Sequence, residues 1–309
     1  NRMTKEKYTK SKITNFKTAK NHIKGFEKHR KRRIFLDGFS IEVYDEFIKY
    51  LRDIKQYSNH TSATTIRDLK RMLYVADQEC KFQVHPDYLR KDFTRPNADS
   101  EAIALNEDEI DKIFTHDFSY DTELQNSRDF IIIGLWTGLR FSDFIKLPPI
   151  DITKRFITVK PNKTKGTTGV SVVIPIHYQV KAIIAKRGMP SPISKVQFNE
   201  DFKRVCQAVG LSEKVYGDLL VYIDKLKAHR KRSGMYEKYK LVSSHTCRRS
   251  FATNMYYSNF PILSIMKITG HSTQTSFLNY IKVTEEQHGQ RLYDHWEAYY
   301  QERGKKQAA

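Results

Sequence analysis

Cysteine is scarce in this chain, and so are acidic residues and long apolar runs. The 309 residues include three cysteines, Cys80, Cys206 and Cys247. Their odd number and wide spacing exclude a disulfide framework and a metal-ligand pattern, and fit reduced thiols in a cytosolic setting. The longest uncharged apolar stretch, "FIIIGLWTGL" from Phe130 to Leu139, is about half of the ~20 residues a membrane-spanning helix needs. The start, "NRMTKEKYTK", has no apolar signal segment and no Met at position 1, so a fragment of a cytoplasmic protein is expected. Internal repeats and low-complexity segments are absent as well.

The acid deficit is the most informative shortage. Asp and Glu number 35 against 54 Lys and Arg, a formal net charge of +19. That balance is too basic for a typical metabolic enzyme and favours a polyanionic partner: DNA, RNA or an anionic membrane surface. The charge is densest early. Residues 1–100 hold 23 Lys and Arg and 13 Asp and Glu, a net of +10, and the remaining two-thirds carry +9. With 39% hydrophobic residues, the chain can still bury cores for two domains of ordinary size.

Residues 1–97 read as a helical domain. Phe16, Ala19, Ile23 and Phe26 recur at helical spacing. A second helix begins at the N-cap Ser40 and turns Val43, Phe47, Ile48 and Leu51 inward. A third carries the stripe Ile66, Leu69, Leu73 and Ala76, with Arg67, Lys70 and Arg71 on its other faces. The run "KHRKRR", Lys28 to Arg33, is expected between the first two helices. Its Lys28, Arg30, Lys31, Arg32 and Arg33 suit either a solvated loop or a phosphate contact. "RKDFTRPNADSEAIAL", Arg90 to Leu105, reads as a linker.

Residues 98–309 read as a mixed domain. Asn106 is an N-cap ahead of a helix with acids in its first turn. "SRDFIIIGLWTGLRFSDFIKL" reads as two buried helices broken at Gly138, and "RFITVK" and "GVSVVIPI" as a hairpin around the polar turn "PNKTKGTT". The stretch from Glu213 to Val242, with its basic centre, reads as a surface insertion holding at most a short strand. Three helical segments close the chain. In the last, Thr284 and Gln287 match a capping box, after which Leu292, Trp296, Tyr299 and Tyr300 form an apolar stripe. The whole is mostly α with a small β-sheet.

Four segments of this second domain each offer a polar group. They are Arg140 in "TGLRFSDFIKL", Lys163 and Lys165 in "NKTKG", His245 and Arg248 in "HTCRRSFAT", and His271 and Tyr280 in "GHSTQTSFLNY". Singly each is weak. An arginine after Gly-Leu is most often a helix-surface residue, and the chain has 18 tyrosines. His245 and Arg248 are three apart, so they share a helix face.

As a set they resemble the tyrosine recombinases, or phage-type integrases. The order Arg, hairpin Lys, His-x-x-Arg, Gly-His and then Tyr nine residues on is that family's order. The likeness is close over roughly residues 100–290 and looser over the helical first hundred, which resemble the family's core-binding domain. It is closest to integrases of bacterial conjugative and mobilisable elements. The resemblance implies a site-specific recombinase that cuts and rejoins DNA through a 3′-phosphotyrosyl link. It implies Tyr280 as nucleophile, with Arg140 and Arg248 clamping the phosphate oxygens. His245 would be the base or a phosphate partner, and His271 a further phosphate contact. A hairpin lysine would be the general acid: Lys163 matches the family, and Lys165 could substitute in the longer turn. Asp143 fits the family's acidic position and would orient catalytic groups.

A phenol has a pKa of ~10, so about one in a thousand is ionised at pH 7. Two arginines and a histidine nearby are expected to favour the phenolate. No cofactor or metal is implied, since the clustered carboxylates that hold Mg²⁺ are missing. The implied partners are double-stranded attachment sites, a homotetramer on two DNA sites and DNA-bending accessory proteins, with no membrane. An N-terminal arm-binding domain known in many relatives is not visible. A type IB topoisomerase and a catalytically silent DNA-binding regulator are the competing readings.

Overall fold

Thr9 and Lys31 bracket the first helix, α1 (Lys10–Arg30). The Thr9 hydroxyl accepts from the Lys12 amide, and Lys31 ends the helix in the left-handed region at φ 56. The computed structural model describes residues 8–96, 102–160, 171–281 and 285–304. Lys28, His29 and Arg30 lie in the last turn of α1, where cations meet the negative end of the helix dipole. The basic run therefore starts inside α1 rather than between helices. Arg30 also pairs with Glu46 at 3.0 Å.

One compact unit comprises Asn1–Glu101 with Tyr216–Gly234. Besides α1 it holds α2 (Ile41–Lys49) and α3 (Asn59–Tyr74), each continued by a single π turn. The Ser58 hydroxyl caps α3 by accepting from the Thr61 amide. Phe26, Phe47, Leu51, Ile66, Leu69 and Leu73 fill its core, joined by Phe93. Val43 and Ile48, expected inside, are only half-buried, and Tyr44 and Tyr50 take buried positions instead. Aromatic rings fill the gap between helices, and the Tyr44 hydroxyl avoids an unpaired burial by donating to the Thr94 carbonyl. From residues 216–234, Arg230 donates to the Lys55 carbonyl at 2.6 Å and lies 4.5 Å over the Tyr57 ring.

The second unit comprises Ala102–Val215 and Met235–Ala309. Helix α4 (Glu107–Thr115) starts with a reciprocal capping box between Asn106 and Glu109. The second half of helix α5 (Thr122–Thr137) is apolar and buried; Ile131, Ile132, Ile133 and Leu135 have no exposed surface. It stops at Gly138, and α6 (Phe141–Phe144) is a single turn. Strands β1 (Phe156–Val159) and β2 (Val172–Pro175) pair antiparallel, from Phe156 opposite Pro175 to Val159 opposite Val172. Then come α7 (Tyr178–Arg187) and α8 (Lys195–Ala208).

Strands β3 (Lys214–Ile223) and β4 (Ala228–Glu237) form a second two-stranded sheet. This corrects the expectation of at most a short strand. Each has ten residues, and alternate residues of β4 are more and less exposed along most of its length. The period of two is real, but Arg and Lys occupy both faces of β4 and hide it. Helices α9 (Lys238–Leu241), α10 (Ser244–Tyr257), α11 (Ile262–Thr269), α12 (Gln274–Ile281) and α13 (Glu285–Glu302) complete the chain. Thr284, the expected cap of α13, lies outside the described residues, as does most of the linker's Pro-Asn-Ala-Asp-Ser stretch.

Helix α10 packs against α5 at the centre of this unit. It is pinned to the chain's entry point by two side chains: Ser250 accepts the Leu105 amide at 2.8 Å, and Asn254 donates to the Leu105 carbonyl at 3.1 Å. Gly138 sets the other boundary. Its φ is +61, and a Cβ there would lie 2.4 Å from the Phe251 ring. Gly210 shares a positive φ of +79 but has open space around it. Gly138→Ala should therefore lower unfolding stability beyond Gly210→Ala by about 1–3 kcal/mol, the usual cost of overpacking. Urea melts of the two variants check this; equal midpoints would refute the crowding argument.

Candidate active site

Arg248 is a buried cation of the second unit, only 5% exposed. Its Nη1 donates to the Gly138 carbonyl at 2.9 Å. The left-handed turn at Gly138 is what aims that carbonyl, so the Gly break and the arginine form one device. Burial, and then the charge of Arg140, pull the Arg248 pKa down to about 10, opposed by Tyr280 and by buried Asp143. The guanidinium stays protonated at neutral pH.

Arg140 follows two residues later, at the N-cap of α6. Gly270 lies next to it, with the position of a Cβ 4.0 Å from Arg140 Nη1. Gly270 has φ +63 and ends α11, so the chain reverses there and presents His271 beside the two arginines. His271 has its Nδ1 2.8 Å from the Thr269 hydroxyl. That hydroxyl donates its one hydrogen to the Ile265 carbonyl at 2.6 Å, so it must accept from Nδ1–H, and Nε2 is left as the acceptor. Burial, and then Arg248 and Arg140, lower the His271 pKa to about 4. The ring is neutral at pH 7.

Tyr280 sits near the end of α12, its ring centroid 4.9 Å from that of His271. Its hydroxyl reaches the His245 carbonyl at 3.5 Å, a weak contact. The expected phenolate is not favoured in this chain. Burial raises the phenol pKa and outweighs the opposing pull of Arg248, Arg249 and Arg140. Neighbouring cations are legible in a sequence, whereas the loss of hydration is not. His245 keeps exposed surface, yet the atoms packed around it lower its pKa, with Lys195, Arg248, Arg249 and Arg140 acting the same way.

The structure thus gathers Arg140, Asp143, His245, Arg248, His271 and Tyr280 around the ends of α5, α10 and α11 and the start of α6. Lys163 and Lys165 lie outside the described residues. Among the described residues, no group of three or more His, Cys, Asp or Glu side chains could hold a metal ion.

The basic candidates of the first unit are partly engaged. Arg67 pairs with Asp68 at 3.1 Å, Lys70 donates to the Phe93 carbonyl at 2.8 Å, and Arg71 donates to Tyr8 and Glu79. Lys28, Lys31, Arg32 and Arg33 are exposed.

Sequence reasoning passed over Arg249, Thr269 and Lys195. Arg249 donates to the Tyr280 carbonyl at 2.7 Å and lies 4.6 Å from the Tyr280 ring centroid. The doubled arginine in "HTCRRSF" was its signal. For Thr269, the signal was a hydroxyl two residues before a histidine.

Comparison with known proteins bears on this constellation. A model of the phage integrase family matches residues 104–287. Tyrosine recombinase XerA of Pyrococcus furiosus is 27% identical over 161 residues, 51% of this chain and 51% of that protein. The transposase of transposon Tn916 of Enterococcus faecalis is 24% identical over 245 residues, 72% of this chain and 58% of the transposase. The chain thus spans about half the length of these curated relatives. A solved Tn1549 transposon integrase, in complex with transposon right end DNA, shares the fold with TM-score 0.63 and 18% identity over 91% of this chain and 93% of that one.

The Thr269 bond makes a spectroscopic prediction. At pH 7, ¹⁵N spectra of the chain should show His271 protonated on Nδ1 and bare on Nε2. Thr269→Val should abolish that preference, at a stability cost of ~0.5–1.5 kcal/mol for the lost bond. A proton on Nε2 in the unaltered chain would contradict the assignment.

Proposed function

The chain belongs to the phage integrase family, the tyrosine recombinases, and we propose that it is a site-specific DNA recombinase that integrates or excises a mobile element. The observation that carries this is the convergence of two arginines, two histidines and one tyrosine in the segment that the family model covers.

The chemistry follows from what those groups do to a phosphodiester. Arg140 and Arg248 bind the non-bridging oxygens and neutralise the charge that grows on them as attack proceeds. Bound phosphate brings Tyr280 up to phosphorus, and its Oη forms the new P–O bond. The phenol proton passes to a neutral histidine: His245 by the family's order, with His271 Nε2 beside the ring as a second acceptor. The bond from phosphorus to the 5′-oxygen breaks, and that oxygen takes a proton from Lys163, or from Lys165 in its place. The product is a 3′-phosphotyrosyl link and a free 5′-hydroxyl. Attack by a 5′-hydroxyl of the partner strand reverses the step, so no external energy source is needed. Asp143, buried beside Arg248, steadies that guanidinium.

The first unit serves as the core-site clamp. What supports this is its charge and a cavity of about 440 Å³ lined by Arg67, Lys70, Arg71 and Arg95. Four protomers on two duplexes, with host or element-encoded bending proteins, complete the reaction.

Sequencing the ends of genomic duplexes trapped in SDS-resistant adducts supplies the test substrate. On it, Tyr280→Phe should bind DNA but form no adduct; an adduct with the Phe variant would overturn the reading. Arg140→Ala and Arg248→Ala should each slow cleavage by about 10²–10³-fold. Lys163→Ala should be rescued by a 5′-bridging phosphorothiolate, whose sulfur leaves without a proton. Rescue of Lys165→Ala alone moves the acid to Lys165.

Helix α13 is proposed to dock on a second copy. Supporting this, Leu292 and Trp296 are each 49% exposed in the single chain, Tyr299 40% and Tyr300 38%. Such a stripe on one helix face needs a cover. Truncation after Val283 should leave single-site binding intact but abolish synaptic complexes in native gels. Synapsis equal to that of the full chain would show the helix dispensable.

A further inference from the structure

We infer that Arg249 is a positioning residue for the Tyr280 nucleophile, fixing the main chain and the ring of that residue together. The inference rests on the reading of Tyr280 as the nucleophile.

Helix α12 has eight residues. A helix that short is marginal by itself, so the place of Tyr280 depends on what α12 packs against. Phe277 and Ile281 are buried and hold one face. They lie three residues before and one after the tyrosine, whose own side chain is only partly buried against the same cluster. Arg249 Nη1 donates to the Tyr280 main-chain carbonyl at 2.7 Å.

The same guanidinium has its centre 4.6 Å from the Tyr280 ring centroid, within the range of a cation–π contact. One rigid planar group therefore touches a residue at two points on either side of its Cα. A lysine ammonium, a point charge, cannot do both in that geometry.

The position of Arg249 in α10 makes the arrangement consequential. Successive residues on a helix diverge by about 100°. Arg248 turns to the Gly138 carbonyl and Arg249 turns to Tyr280. Helix α10 is itself pinned through Ser250 and Asn254. It thus sets the distance between a phosphate-clamping cation and the attacking residue.

The phenol is faced by His245, Cys247, Arg248 and Arg249 from α10, by Arg140 from the turn after α5, and by His271 from the turn before α12. Burial raises its pKa, while Arg248 and then Arg249 oppose that rise. Removing Arg249 loosens the tyrosine and also withdraws a cation, so the loss should be visible in rate and in pH dependence together.

The experiment uses the full chain and a nicked suicide duplex built on the trapped genomic sequence. Arg249→Ala, Arg249→Gln and Arg249→Lys are compared with the unaltered chain for duplex affinity and for the rate of adduct formation from pH 6 to 10. Arg249→Ala should cleave about 10–100-fold more slowly, the scale of an ångström-level misplacement, with affinity changed less than about twofold. The acid limb of its pH–rate profile should move to higher pH. Arg249→Gln keeps an uncharged donor; it should recover part of the rate and none of the pH shift. Arg249→Lys should recover the pH shift and little of the rate. If the unaltered chain forms its adduct through Tyr280 and the Ala and Gln variants match its rate and pH profile, Arg249 does not position the nucleophile and the inference alone falls. If the unaltered chain forms no Tyr280 adduct, the nucleophile reading falls and takes the inference with it.

Discussion

A buried guanidinium needs an acceptor and a compensating charge, and the second unit is organised around meeting that need at Arg248. Removing such a cation from water is costly unless it is hydrogen-bonded and offset. The bond goes to the carbonyl of Gly138, and the offsetting charge comes from Asp143. Gly138 can offer that carbonyl because it alone bends into the left-handed region between α5 and α6. The same bend carries the chain into Arg140 two residues later. One backbone reversal therefore places both arginines.

The remaining groups are placed by the same economy of helix ends. Gly270 stops α11 and turns out His271, whose tautomer is set by a threonine at the end of that helix. Helix α10 supplies His245, Arg248 and Arg249 from adjoining positions. Tyr280 then stands in a setting with two opposed tendencies: enclosure keeps its proton on, and three arginines work to release it. Enclosure prevails.

Much of this was legible in the residues themselves. The stripe of Ile66, Leu69 and Leu73 defined α3, the break at Gly138 was visible as a glycine within an apolar run, and Asn106 announced α4. The arginine, histidine and tyrosine motifs could be ordered because each lies beside a helix boundary with its own cap or stop. Other features were not legible, for physical reasons. Strands β3 and β4 were obscured because arginine and lysine occupy both faces of β4. The basic run from Lys28 looked like a loop, but a helix tolerates cations in its last turn. The direction of the Tyr280 shift depends on burial, which no spacing discloses. Arg249 meets Tyr280 across 31 positions of sequence, a contact that exists only once α10 and α12 pack.

The central claim is that the chain joins itself to DNA through one tyrosine, and peptide mapping of the joined product tests it most directly. The unaltered protein is trapped on a nicked duplex, digested with nuclease and trypsin, and read by mass spectrometry. The tryptic peptide Ile268–Lys282 holds a single tyrosine, Tyr280. The account predicts that this peptide carries the residual nucleotide, through a 3′-phosphate on that tyrosine. A nucleotide found on any other peptide, or a 5′-linked one on this peptide, would contradict it.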